Sequence, residues 1–335
     1  MDLAYLWFGI VGFFFIGYFV LDGFDFGVGM SIPFLSKDDT DKRQIINTIG
    51  PIWDLNETWL IVAGACMFAA FPEWYATLFS GFYLPLLLIL VALILRGVSF
   101  EYRHQKPEWA PNFDRMIVFG SAVPAFLWGV AFANIVQGVA LDEGSNYTGS
   151  VLDLLNPYGL LGGLTTLVLF FTHGVVFVAL KTDGGVRERA RRLATRAGLI
   201  TVALAAVFLG WTVLQHLDSP HFTLIAGLAG GAALALVVGL LANAAGREGL
   251  AFAALAATTA LAVGTLLAAL FPNVMPSTSG VGGLTIENAS SSDYTLQVMS
   301  WVALGISPIV LGYQVWTYWV FRKRVTRERI LASAH

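Results

Sequence analysis

Charged residues are scarce in this chain of 335 residues: Asp, Glu, Lys and Arg make up 12% of it, and hydrophobic residues make up 57%. Soluble domains are about 25% charged. The polar residues are therefore too few to cover the surface of a water-soluble globule, and the composition predicts an integral membrane protein.

Cysteine is rarer still, which limits the redox and metal chemistry that the chain can support. The single cysteine, Cys66, excludes an intrachain disulfide and a multi-cysteine metal site. The sequence also lacks a phosphate-binding P-loop and a dinucleotide-binding glycine motif. The net charge of −3 comes without a basic stripe, so we expect no nucleic-acid partner.

Long hydrophobic runs are what the chain does contain. Runs of about 20 apolar residues are typical of membrane helices, and nine of them predict an all-α integral membrane protein that forms one polytopic domain over residues 1–335. The second run is the weakest, because it contains Asp54 and Glu57. The predicted helices cover residues 5–30, 50–71, 75–98, 115–138, 157–180, 194–215, 222–244, 249–271 and 295–321.

The distribution of basic residues predicts how these helices are oriented. The first run lacks a basic leader segment and a small-residue cleavage site, so we expect it to be retained as a helix. Nine helices place all 19 Lys and Arg residues on one side of the membrane. The positive-inside rule then predicts a cytoplasmic C-terminus and an N-terminus outside. Without the second helix, the three bases of residues 37–43 would change sides.

Two pairs of acidic residues lie inside the predicted spans: Asp22 with Asp25, and Asp54 with Glu57. An ionisable group near the centre of a membrane helix costs about 2.5–3.5 kcal/mol, and the i,i+3 spacing puts each pair on one helix face. With a rise of about 1.5 Å per residue, Asp22 would lie about 12 Å from a helix end near residue 30, and Asp54 about 6 Å from a start near residue 50. Both pairs are thus predicted in the cytoplasmic halves of adjacent antiparallel helices.

Two interpretations of these acids stay open. In the functional one, they form a protonatable cluster that passes protons inward from the cytoplasm. In the structural one, Asp54 and Glu57 complement a helix dipole, while Asp22 and Asp25 border a glycine-rich stretch that supplies polar backbone partners. Arg96, about two turns inside a helix end, either extends to the surface or pairs with a buried acid.

Histidine, the usual axial ligand of haem, is present only five times. His173 lies well inside a predicted span, whereas His104, His216, His221 and His335 lie in loops or at helix ends. A lone histidine in a packed helix is more often hydrogen-bonded core than ligand. We therefore expect the chain itself to bind no redox centre, and the role of His173 is left open.

Eight stretches of the sequence, in the same order and along nearly the whole chain, resemble subunit II of cytochrome bd-type quinol oxidases. Each stretch alone is a weak match, but eight in order are specific. The stretches are LDGFDFGVGM, NTIGPIWDLNETWLI, FAAFPEWYATLFSGFY, LRGVSFEYR, GVAFANIVQGV, LLNPYGLLGG, FPNVMPS and SSSDYTLQVMSWVA.

The resemblance implies a heterodimer with subunit I in the bacterial cytoplasmic membrane, built as two four-helix bundles plus a peripheral helix. It implies that haem b and haem d lie in subunit I, and that this chain holds no haem, no metal and no catalytic residue. The complex would oxidise quinol and reduce oxygen to water with protons from the cytoplasm. A small accessory subunit and a quinone bound to this chain are further possibilities.

Within that family a hydrophilic channel through subunit II is thought to supply these protons. Its acidic motifs match Asp22, Asp25 and Asp54 of this sequence, with Arg96 and Glu101 in the LRGVSFEYR stretch. The resulting hypothesis is that Asp54 and Asp25 relay protons while Arg96 tunes one of them. The alternatives are a purely structural partner subunit and a proton-coupled secondary transporter, the latter disfavoured because no two-fold repeat is found.

Overall fold

The computed structural model describes residues 3–332, most of which are helical. A short antiparallel pair of strands, β1 (Asn273–Met275) and β2 (Leu284–Thr285), lies in the longest connection. The α-helices are α1 (Leu3–Leu35), α2 (Asp39–Ile46), α3 (Trp53–Ala70), α4 (Pro72–Gly81), α5 (Tyr83–Tyr102), α6 (Ala110–Gln137), α7 (Pro157–Lys181), α8 (Gly184–Gln215), α9 (Phe222–Ala244), α10 (Glu248–Leu270), α11 (Ile286–Ala289), α12 (Asp293–Val320) and α13 (Arg327–Ala332).

Eight helices in the described part of the chain are long and apolar enough to cross a membrane: α1, α5, α6 with the turn before it, α7, α8, α9, α10 and α12. The 18-residue α3 is not among them, because Asp54, Asn56 and Glu57 lower its hydropathy. The nine-span count therefore stays a prediction, and α3 is the helix on which it depends.

The predicted third span, residues 75–98, is wrong as a single helix. The chain instead forms α4 and α5, with a break at Phe82. Pro85 gives a physical reason, since a proline has no N–H to donate and its ring clashes with the carbonyl four residues earlier. In the first turn of α5, where N–H groups have no helical partner, the same proline is tolerated.

Three further boundaries differ from prediction by five residues or more. α6 begins at Ala110 rather than at residue 115. α1 continues to Leu35, so Asp22 lies about 20 Å from that helix end rather than about 12 Å. α8 begins at Gly184, ten residues before the predicted start, because the arginine-rich stretch before residue 194 is helical too. The short loop predicted between the first two spans contains α2, which the side chain of Asp38 caps by accepting from the Asp41 N–H at 2.8 Å.

α1 lies at the centre of the molecule. It packs against α3 and α6 on one side and against α7 and α10 on the other. α5 packs on α6, and α7, α8, α9 and α10 pack in sequence. One group of helices therefore contains α1, α3, α5 and α6, the other contains α7 to α10, and both α1 and α6 pack against α7. α12 is peripheral: of its 28 residues only Leu296, Gln314 and Thr317 are buried.

The cationic segments lie at one end of the helices, which we call the basic end. There Arg103 contacts Asp114 and Asp39, each at 2.6 Å, and Lys42 contacts Asp114 at 2.9 Å. These ion pairs join α2 to the end of α5 and the start of α6. α2 thus lies across the group of helices that contains α1, α3, α5 and α6.

The second group of helices is tied to α2 at the same end. Asp41 contacts Arg189 of α8 at 2.6 Å and Arg327 of α13 at 2.5 Å. Arg327 also donates to Asp38, and this hydrogen bond holds the pKa of the Asp38 carboxyl below its ordinary value. α2 therefore links both groups of helices and the C-terminal segment.

The junction between α1 and α7 requires two small residues. A Cβ added at Gly27 would lie 1.9 Å from the Phe170 carbonyl oxygen, and one added at Gly174 would lie 2.3 Å from the Gly27 backbone. Small residues let membrane helices approach closely enough for backbone contact. Helices α1 and α7 therefore make their closest backbone approach at Gly27 and Gly174.

We predict that Gly27→Ala separates α1 from α7 and destabilises the protein by about 1–3 kcal/mol, the usual cost of overpacking. Gly9→Ala is the matched control in the same helix, since nothing lies within 4 Å of a Cβ built there. Thermal transitions of the purified protein in detergent would measure the difference. Equal transitions for the two variants would contradict this account of the junction.

Candidate functional site

Three helices bring ionisable side chains together inside the molecule: α1 with Asp22, α3 with Glu57 and α5 with Arg96. The Arg96 side chain is fully buried, and its Nη2 donates to Asp22 Oδ1 at 2.7 Å and to Glu57 Oε2 at 3.0 Å. The guanidinium also lies 4.4 Å from the centre of the Phe26 ring. Arg96 therefore pairs with buried acids instead of extending to the surface.

The position of Arg96 on the buried face of α5 explains why its side chain stays inside the molecule. Its neighbours at helical spacing, Ala92, Ser99 and Phe100, are buried like Arg96 itself. On the facing helix α6, a Cβ at Gly120 would lie 2.8 Å from Arg96 Cβ. The small residue makes the room that the arginine stem needs against α6.

Asp25 lies in the same buried region and is held by an amide. Asn56 Nδ2 donates to Asp25 Oδ2 at 2.7 Å, and the Asn56 carbonyl oxygen accepts from Gln314 Nε2 at 3.1 Å and from the Tyr318 hydroxyl at 2.9 Å. This network connects α1, α3 and the peripheral α12. Asn56, Gln314 and Tyr318 were not predicted as site residues.

Sequence signals for these three residues exist but are weak. Gln314 is a polar residue in an apolar helix, and Asn56 lies between two acids already singled out. Tyr318 lies near a predicted helix end, a position typical of aromatic residues at the membrane interface. None of these patterns indicates which partner the side chain contacts.

Two of the predicted residues lie apart from the buried cluster. Asp54, in the first turn of α3, and Glu101, in the last turn of α5, are both exposed at the basic end. Within residues 3–332 no side-chain hydrogen bond or ion pair joins either of them to Arg96 or Asp22. Glu57 has a side chain that is 23% exposed, so it lies between the surface and the buried pair.

The cluster contains more acids than bases. Asp22, Asp25 and Glu57 gather around one guanidinium, so the group is electrically neutral only when two of the three carboxyls carry a proton. Buried charge without a partner is costly. Among the described residues Asp22 Oδ2 and Asp25 Oδ1 are buried oxygens without a hydrogen-bond partner. The arrangement is therefore able to bind and release protons.

The histidine inside the helices, His173, is buried, and neither of its ring nitrogens has a hydrogen-bond partner among the described side chains. The His173 ring packs against Phe24 and Phe252, with centroids 5.7 Å and 4.8 Å away. In the described part of the chain no group of three or more His, Cys, Asp or Glu side chains is placed to hold a metal ion. His335 lies outside the described residues.

An apolar cavity of about 560 Å³ lies beside the site, between α1 and the helices from α6 to α10. Its walls are mainly aromatic and aliphatic, including Phe19, Trp128 and Phe170, and its few polar groups are threonine hydroxyls such as that of Thr258. A hydrocarbon chain fits the chemistry of this lining.

Comparison with known proteins gives a consistent result. Residues 3–321 match the family described as cytochrome bd terminal oxidase subunit II. The chain is 41% identical over 331 residues to cytochrome bd ubiquinol oxidase subunit 2 of Bacillus subtilis, covering 96% of this chain and 97% of that protein. It is 38% identical over 370 residues to cytochrome bd-I ubiquinol oxidase subunit 2 of Escherichia coli K12, covering 99% and 98%.

The fold is also similar to a solved structure. The bd oxidase of Geobacillus thermodenitrificans contains a chain that superimposes with a TM-score of 0.77 at 17% sequence identity. The match covers 96% of this chain and 99% of that one. At this identity the likeness concerns the fold alone.

We predict that Arg96→Met destabilises the protein by about 3–5 kcal/mol, because removing one partner of a buried ion pair leaves the other charges uncompensated. The matched control is Arg196→Met, at an exposed position of α8, which should change stability by about 0.5 kcal/mol or less. Thermal transitions in detergent would compare the variants. A transition for Arg96→Met as high as that of the control would contradict the prediction.

Proposed function

Because this chain belongs to the cytochrome bd terminal oxidase subunit II family, we propose that it is the haem-free subunit of a quinol:oxygen oxidoreductase and conducts protons through its buried acid–arginine cluster. The protons serve the reduction of oxygen to water in subunit I. Family membership favours this role over the transporter that buried acids alone left open.

The observation that carries the proposal is the excess of acids around one base. Asp22 and Glu57 share the single guanidinium of Arg96, and Asp25 lies buried one turn along α1 from Asp22. Because uncompensated charge is costly in this environment, arrival of one proton favours departure of another. A cluster whose neutral state holds two protons among three carboxyls is suited to passing them on one at a time.

The exposure of these groups suggests the order of the steps. Asp54 and Glu101 are exposed at the basic end, Glu57 is partly exposed, and Asp22 is fully buried. A proton taken up at the surface would reach Glu57, move to Asp22, which contacts the same Arg96 Nη2, and continue to Asp25. Each transfer would join neighbouring carboxyls in one buried region.

The same proposal requires α3 to be the ninth membrane span. At its start, the ring of Trp53 lies 5.3 Å from that of Phe100, near the basic end of α5. At its other end, the Ala70 carbonyl accepts from the Ser291 N–H at 2.8 Å, next to the start of α12. With nine spans, the positive-inside rule places the basic end and the C-terminus in the cytoplasm and the N-terminus outside.

The redox centres belong to the partner in this proposal. His173 packs between aromatic rings, so haem b and haem d are assigned to subunit I of a heterodimer in the bacterial cytoplasmic membrane. The exposed apolar side chains of α12 would be covered by lipid, by subunit I or by a small accessory subunit. The apolar cavity suits the tail of a quinone.

A purely structural role is the second candidate, and one observation favours it. The hydrogen bonds of Arg96 to Asp22 and Glu57 cross-link α1, α3 and α5, which would stabilise the helix group without any proton transfer. The two roles differ in their effect on turnover of an assembled enzyme.

We predict that Asp25→Asn and Glu57→Gln each slow oxygen consumption by about tenfold or more, since each removes a proton-transferring carboxyl. Asp54→Asn should have a smaller effect, because other exposed groups can replace a surface carboxyl. Asp293→Asn, at an exposed position in the first turn of α12, is the control and should turn over normally. Quinol oxidase activity per haem would be measured in the purified complex.

The outcomes separate the two roles. Normal turnover of both Asp25→Asn and Glu57→Gln would refute the proton path. Loss of the haem absorption bands would instead indicate that the cluster acts in assembly.

A further inference from the structure

The peripheral helix α12 makes a specific polar contact with the interior. Most of its large apolar side chains are exposed, and Gln314 is one of only three buried residues in its 28. The buried amide of Gln314 and the hydroxyl of Tyr318 both point at Asn56 of α3. A helix with so little buried surface thus directs two donors at one atom.

That atom is the Asn56 carbonyl oxygen, and the two donors fix the orientation of the amide. An amide oxygen accepts two hydrogen bonds and its nitrogen donates two. The oxygen of Asn56 accepts from Gln314 and Tyr318, while its nitrogen donates to Asp25 Oδ2 at 2.7 Å and to the Leu21 carbonyl at 3.3 Å. A flipped amide would place its nitrogen against Gln314 Nε2 and its oxygen against the Leu21 carbonyl, and of the four partners only the Tyr318 hydroxyl could accept from its nitrogen.

The two hydrogen bonds to Asn56 are not needed merely to attach α12 to the rest of the molecule. Polar contacts between membrane helices do hold them together, but Trp59 Nε1 already donates to Gln314 Oε1 at 3.4 Å. At the opposite end of α12, Trp7 Nε1 donates to the Leu296 carbonyl and to Ser300. The two donors on Asn56 are additional, and their consequence is the position of an N–H group on Asp25.

We infer that Gln314 and Tyr318 are positioning residues for Asp25: they hold the Asn56 N–H on Oδ2 and so leave Oδ1 as the oxygen that takes up and releases the proton. Asp25 Oδ1 is buried without a partner among the described residues. The O–H bond formed at Oδ1 on uptake is the bond broken on release. This inference rests on the proposed proton path.

Loss of the Gln314 and Tyr318 donors would let Asn56 accept a hydrogen bond from Asp25 instead of donating one to it. Only the 3.3 Å hydrogen bond to the Leu21 carbonyl would then hold the amide from outside Asp25. The amide could turn its oxygen toward Asp25, and that oxygen accepts a hydrogen bond only from a protonated carboxyl. The proton would then be retained between Asp25 and Asn56 and released slowly. One remaining donor favours the original orientation less strongly than two, so each single variant should show the same effect on Asp25 to a smaller degree.

The test compares Gln314→Met, Tyr318→Phe and the double variant in the purified oxidase complex with its haems. Both substitutions keep the size of the side chain and remove its donor. The double variant should lower kcat by about tenfold, the effect of about one hydrogen bond, with an unchanged KM for quinol, a larger solvent deuterium isotope effect and normal haem bands. Each single variant should lose much less. Tyr313→Phe, 53% exposed on the same helix, is the control and should behave like the parent.

An infrared difference spectrum provides a second measurement, in which the carboxyl C=O band of Asp25 is identified by its absence in Asp25→Asn. In the double variant this band should persist through turnover, because the proton is retained. If the double variant does not assemble, the band in Tyr318→Phe should be displaced from its parental position. A parental kcat and isotope effect in the double variant, or a parental band in Tyr318→Phe, would overturn the inference.

The design also separates this inference from the proposed function. If Asp25→Asn and Glu57→Gln both turn over normally, the proton path fails. If Asp25→Asn is slow while the double variant is not, the path stands and only the positioning role of α12 fails.

Discussion

The buried guanidinium of Arg96 is the constraint on which the rest of the structure depends. An arginine removed from water costs several kcal/mol unless opposite charges lie beside it. Asp22 and Glu57 supply the opposite charges, so α1, α3 and α5 must lie side by side at the depth of Arg96. The absence of a side chain at Gly120 allows the arginine stem to pack against α6.

Other features of the molecule extend from this pairing. Asp25, one turn along α1, is bound by Asn56, and Asn56 in turn holds the peripheral α12 through two hydrogen bonds. At the basic end, α2 connects the acid-containing helices to α8 and to the C-terminal segment through Asp41. A chain with few charges thus places most of its ionic contacts where they join helices.

Much of this architecture could be predicted from the sequence, and the failures have physical causes. Hydropathy and charge are local properties, so the predicted bounds of α7, α9, α10 and α12 agree with the structure to within two residues. Helices that are hydrophobic all round carry no amphipathic signal, so sequence could not distinguish the exposed Asp54 from the partly buried Glu57. Asn56 was missed because its role depends on α12, more than 250 residues away.

The central claim is that protons for oxygen reduction enter this subunit at its basic end and cross the Arg96 cluster. The most direct measurement is proton uptake during a single turnover of the complex in liposomes, with a pH-sensitive dye on one side at a time. The account predicts uptake from the side of the basic end, slowed in Glu57→Gln together with the oxygen chemistry at the haem. Uptake from the opposite side, or at the parental rate in that variant, would contradict it.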